Sequence, residues 1–366
     1  MMTGKEKIST FQVAILIVPV IVATEIFSAP GTSAEYAKED AWISILLTSV
    51  TGVWSLFVML ALAIRYPGLT PIEYSQEILG KWLGILVGWY YVFVLFWYPA
   101  TISDEMMNFI RLFANPTTPR VAILLLFIFV CGAVVWAGIE AIARCAELIV
   151  PINIIFILIT SFLLFGDMEG KYLKPVLGHG LIPVLQGAVV PSAWTGEFFM
   201  IGFLLPFVKK STQVRRAGVI SLGIVMLLMV WITLQSLTVD GEITGKMNYA
   251  FYAATRYVSI ADFFERIDPV IVEAWVFGGF LKNSVFLWAL CISVAQLLGY
   301  ENYRTLVVPL SLMTLVACLW FYSNAFEMQD FLKYTFPSWG LINQNIIPTM
   351  LLMVDLARRR RKAQSA

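Results

Sequence analysis

Ten long apolar runs separated by short polar seams make up almost the whole chain, at about 10–34, 41–64, 83–110, 120–138, 146–166, 181–207, 217–238, 269–298, 305–323 and 337–356. Each is long enough to cross a hydrocarbon core ~30 Å thick, which takes roughly 20 helical residues. The pattern predicts an all-α polytopic membrane protein. Two seams carry helix signals of their own. Thr70-Pro71-Ile72-Glu73 places an N-cap, a proline at the first helical position and a capping-box glutamate, and opens a short helix whose apolar face is Ile78, Leu79 and Trp82. Ser259-Ile260-Ala261-Asp262 opens a second one, with Ile260, Phe263, Phe264 and Ile267 at i, i+3, i+4 and i+7.

Three of the spans carry helix breakers at depth. Pro19 and the Pro30-Gly31 pair lie in span 1, Pro99 in span 3, and Pro191, Gly196 and Pro206 in span 6. Broken backbone at membrane depth survives only where protein or a water-filled cavity satisfies its freed groups, so breaks are expected in spans 1 and 6. These are the first helices of two five-span halves, about 8–166 and 180–357. An odd number of spans per half inverts one half relative to the other. The whole of 1–366 then reads as one transmembrane domain ending in a short basic tail, 358–366. Lys/Arg bias orients it: Lys209, Lys210, Arg215 and Arg216, and Arg358 to Lys362, fall on the same side as Lys5 and Lys7, which predicts cytoplasmic termini.

Composition narrows the chemistry. The 366 residues are 59% hydrophobic and 13% charged, too apolar for a soluble core, so lipid is a partner. A net charge of +1 without a basic stripe excludes nucleic acid. The four cysteines have no CxxC spacing and read as packers, and no HExxH, P-loop or buried triad histidine is present. No enzymatic activity, metal or cofactor is expected.

Against this apolar background Glu25, Glu197 and Lys282 stand out, each within roughly 6 Å of the centre of its span by helical rise. A charge at that depth marks a substrate or ion site by default. The competing reading is a buried ion pair that only fixes helix packing. The expected pocket uses backbone amides near Ala23 and Thr24 for a ligand carboxylate. Glu197, next to Gly196, or the carbonyls around Trp194 would take its amine. Tyr98 supplies a hydroxyl, Trp194 a gate, and Glu25 and Lys282 complete the charge cluster. Asp104, Glu105 and Glu273 lie toward the span ends and read as solvated mouth residues.

The run from Ile21 to Gly31, with its small-residue break, Ile26-Phe27 and Pro30-Gly31 exit, resembles span 1 of the amino acid/polyamine/organocation permeases. Three further segments narrow the resemblance: Thr118-Pro119 with Gly138-Ile139-Glu140 through Arg144 and Glu147; Gly196-Glu197 with Leu205-Pro206; and Phe263-Phe264-Glu265-Arg266-Ile267-Asp268 running into Trp275 and Lys282. They are similar to the endospore germination permeases, the B subunits of GerA-type germinant receptors. The resemblance implies a LeuT-type five-plus-five fold in the inner membrane of bacterial spores. It also implies a small-molecule germinant, often an amino acid, and partner subunits of A and C type. A proton-coupled amino acid permease is the alternative, since the same broken helices serve both. Glu25 departs from the permease pattern, where a small residue is common.

Overall fold

The computed structural model describes residues 6–114, 116–209, 213–256 and 268–364. These are almost entirely helical, and every expected span has a counterpart. Eight helices among the described residues are long and apolar enough to cross a membrane, or nine with one bent pair. The first, Thr10–Arg65, accounts for two of the ten. It folds back at Lys38, whose φ of 50° lies in the left-handed region. The fold-back brings Thr48 and Glu25 to the same hydroxyl, that of Thr195. Its halves are α1 (Thr10–Ala37) and α2 (Ala41–Arg65). A capping box of Ser9 and Gln12 starts α1.

After α2 comes the short helix α3 (Pro71–Leu79), started by the expected Thr70–Glu73 capping box. It turns Ile72, Tyr74 and Ile78 inward, while Trp82 is left exposed beyond its end. Three spans follow: α4 (Lys81–Phe113), α5 (Arg120–Ala137) and α6 (Ile139–Leu164). The helix expected at 259–267 lies outside the described residues.

Span 1 corrects the sequence reading. Its backbone is helical throughout, with Pro19 and Pro30 inside it, so no free amides are offered at Ala23 and Thr24. A proline removes one hydrogen bond and does not by itself unwind a helix clasped on all sides. Here span 1 is buried for most of its length. Span 6 breaks as expected. Its halves, α7 (Leu181–Val189) and the stretch Pro191–Phe207, meet at 50°. Within the second half, α8 (Pro191–Thr195) and α9 (Ile201–Leu204) flank a 3₁₀ segment, Gly196–Met200.

The remaining spans are α10 (Val214–Asp240), α12 (Asp268–Leu298) and α13 (Val307–Trp320), with α11 (Ala250–Thr255) between the first two. The last span was not expected to be irregular, yet it is. Between α14 (Ala325–Asp330), α15 (Phe336–Gly340) and α16 (Ile347–Gln364) lie two π-helical segments, Phe331–Thr335 and Leu341–Ile346. Such segments are rare and recur at functional sites.

Lipid-facing positions are apolar, as on α5, α6, α10 and α13, where Phe129, Phe162, Leu227 and Trp320 are 72–83% exposed. The interior is where polar residues collect. At one end of the bundle the segment before α1 stitches distant parts together. Ile8 bridges to Val208, and Glu6 accepts from Ile139 N, Tyr303 Oη and Arg304 Nη2. At the other end Gly31 of α1 lies against the backbone around Met247.

Candidate functional site

Broken span 6 brings its polar residues to the centre of the bundle. The 3₁₀ turn begins at Gly196, which has no side chain in the way of Gln344 from the second π segment. A Cβ there would stand 2.1 Å from Gln344 Oε1. The turn aims Glu197 at α12, where Lys282 Nζ lies 2.7 Å from Glu197 Oε2, both side chains 1% exposed. The same ammonium donates to Thr24 Oγ1 of α1 at 2.6 Å. Lys282 thus joins spans 1, 6 and 8, and its partner is Glu197, not Glu25.

Glu25 faces Thr195 of span 6 instead, two residues before Glu197. Its Oε1 is 3.4 Å from the Thr195 hydroxyl, which is 3.0 Å from that of Thr48. Glu25 is fully buried and its Oε2 has no hydrogen-bond partner among the described residues. Ala23 contributes its carbonyl, which accepts from the Trp275 indole. Tyr98 stacks on Phe286 at 4.1 Å and accepts from Gln344 Nε2 at 2.6 Å. Trp194 is buried against Phe336 of the last span. Of the expected residues, the structure joins Thr24, Glu197 and Lys282 by direct contact, places Glu25 beside them through Thr195, and links Tyr98 to Gly196 through Gln344.

Two expectations fail here. An amine seated on Glu197 would have to displace Lys282, and a carboxylate on the amides of Ala23 and Thr24 meets an intact helix. Asp104 and Glu105 are not solvated either, being 1% and 2% exposed. Asp104 pairs with Arg120 at the start of α5, whereas Glu105 Oε1 has no hydrogen-bond partner among the described residues. Border counting missed them because it ignores the aromatic cover that packs on α4, such as Phe27 and Trp275 on Phe109. Sequence reading also missed Asn343, Gln344 and Asn345, three consecutive buried amides in an otherwise apolar span. Their signal was present, since neutral amides at that depth also need partners. Asn343 Oδ1 accepts from Tyr90, and Asn345 Nδ2 donates to Thr51 O. Among the described residues no group of three His, Cys, Asp or Glu is placed to hold a metal ion.

This arrangement, with a buried ion pair beside a broken helix in a ten-span bundle, can be set against known proteins. The family model described as "Spore germination protein" matches residues 7–326. The chain belongs to the spore germination protein family. Spore germination protein KB of Bacillus subtilis (strain 168) is 25% identical over 99% of this chain and 98% of its own length. Spore germination protein YndE of the same strain is 27% identical over 98% and 99%.

Among solved structures, Mhp1, a nucleobase-cation-symport-1 family transporter in a closed conformation with bromovinylhydantoin bound, superposes with a TM-score of 0.67 at 14% identity, covering 93% of this chain and 76% of that one. MhsT in complex with L-phenylalanine gives 0.61 at 14% identity, covering 96% and 99%. The fold is therefore that of the LeuT-type transporters. This germination protein is an integral membrane protein of permease-like build, from a family of permeases or receptors and not of enzymes.

Proposed function

We propose that this germination protein is the ligand-binding B subunit of a nutrient germinant receptor in the inner membrane of bacterial spores. It binds a small germinant, an amino acid by preference, in the pocket around Lys282, and signals through A-type and C-type partner subunits. The observation that carries the reading is the Lys282–Glu197 pair, held with Thr24 against the 3₁₀ turn of span 6. Taking two charges out of water costs several kcal/mol per ion, and fully apolar packing at the same place is often no less stable. Its retention beside a broken helix favours a ligand site over a packing device. Since Lys282 occupies Glu197, the ligand's ammonium group belongs at Glu25, whose Oε2 has no donor among the described residues.

The pocket's side chains set size and polarity, so altering Thr24, Tyr98 or Trp194 is expected to shift which nutrient triggers germination. One methylene of fit in an apolar pocket is worth about 1–3 kcal/mol, or roughly 10- to 200-fold in effective concentration. Dose-response curves of spores carrying each substitution, normalised to receptor abundance, measure this. Unchanged preference and sensitivity in all three, with the complex assembled, would place the ligand elsewhere.

The sidedness proposed from the Lys/Arg bias has its own test. A single cysteine at position 364, in a chain stripped of native thiols, is expected to resist an impermeant thiol reagent in intact cells and to react once the membrane is opened. Labelling from outside would reverse the topology.

A further inference from the structure

A cavity of about 320 Å³ opens at the end of the bundle where α1 meets the last span, lined by Ser28, Glu35, Trp194, Lys246, Asp330 and Lys333 among others. That is a volume suited to a small ligand. Trp194 forms part of its wall and lies three residues before Glu197, so the cavity sits next to the pocket without being part of it. Its charges are instructive. Glu35 and Lys333 satisfy each other at 2.7 Å. Lys246 and Asp330 line the same space, and neither forms an ion pair with another described residue. One unspent charge of each sign is the complement of a zwitterion. The third feature is Ser28 of α1, 3% exposed, a residue of the cavity wall whose occluded hydroxyl has no hydrogen-bond partner among the described residues. A buried hydroxyl left open in this way costs about 1–3 kcal/mol unless something fills its hydrogen-bonding capacity.

We propose that this cavity is a second, outer binding site for a small zwitterionic amino acid. The ammonium group meets Asp330 and the carboxylate meets Lys246, with Ser28 and Trp194 in the wall behind the ligand. The inference deepens the receptor reading, because a ligand held here stands next to the pocket proposed above. Glu35 and Lys333, tying the first span to the last across the rim, then border its way in.

The test uses the full-length protein in proteoliposomes, with native cysteines replaced by alanine and one cysteine introduced as Gln329→Cys, another lining position. The rate of its modification by a cationic methanethiosulfonate is measured with each standard protein amino acid, and with propionate and isobutylamine as single-charge controls. At least one amino acid is expected to slow labelling, by about tenfold when present at about ten times its Kd. The two controls should not slow it. Lys246→Gln and Asp330→Asn, both at exposed positions, should each remove the protection. Protection by no amino acid, equal protection by a single-charge control, or protection that survives both substitutions overturns the proposal. A Lys282→Met/Glu197→Gln background separates the two sites. Protection that persists there belongs to the outer site; protection lost there, in folded protein, overturns the outer site while leaving the deep pocket standing.

Discussion

Lys282→Met is expected to cost this germination protein most of its folded population. The substitution leaves Glu197 at 1% exposure facing a thioether, and a buried carboxylate stripped of its ion-pair partner loses about 3–5 kcal/mol. Thr24 loses its donor at the same time. Adding Glu197→Gln should restore most of the folded protein, because both charges are then gone. Glu25→Gln should restore much less, since Lys282 contacts Glu197 and not Glu25. Size-exclusion profiles and thermal melts of the detergent-solubilised variants report the ranking. A Lys282→Met protein as abundant and as stable as the parent would remove the pair from any structural account. Ligand response is expected to be lost in the double variant even where folding returns, which separates the pair's two roles.

Gly31→Ala is the second large effect. A Cβ at Gly31 would stand 2.1 Å from the carbonyl oxygen of Met247 and 3.4 Å from that of Thr244, both backbone atoms. A side-chain tip can swing away from such an intrusion, but a backbone carbonyl moves only with its segment. The contact is mutual, since a Cβ at Gly245 would stand 2.8 Å from the backbone of Ala34 and Glu35. Overpacking of this kind costs about 1–3 kcal/mol. Gly223 on α10 is the control. Nothing lies within 4 Å of its missing Cβ, so Gly223→Ala should be neutral or stabilising by up to about 1 kcal/mol from helix propensity. Equal melting temperatures for Gly31→Ala and the parent would mean that the two segments are not in contact.

What the sequence made legible follows from what lipid demands. Twenty apolar residues in a row have few alternatives in a membrane, so the spans could be placed, and the Thr70–Glu73 cap could be read because its geometry is local. The depth of Glu25, Glu197 and Lys282 followed from counting residues to polar borders. Which carboxylate Lys282 would choose did not, because that depends on how α12 is rotated against span 6. Prolines were over-read in span 1, where neighbouring helices hold the backbone helical around Pro19 and Pro30. They were rightly read in span 6, where Pro191 coincides with a real bend. The π turns of the last span went unread although each ends two residues before a proline, Pro337 and Pro348, and the second holds the amide triplet at 343–345.

The seam at residues 6–8 has a bearing on how the chain is made. Domains and segments emerge from the ribosome N-terminus first. Glu6 and Ile8 leave it before any of their partners exist. Ile8 must wait for Val208, and Glu6 for Arg304, 298 residues later. Closing contacts of such long separation are slow because the chain entropy between them is lost before the contacts reward it. Residues 6–8 are therefore among the last to settle. Until span 9 is inserted, the seam at residues 6–8 stays unclasped, and completion of the bundle is marked by its being drawn in.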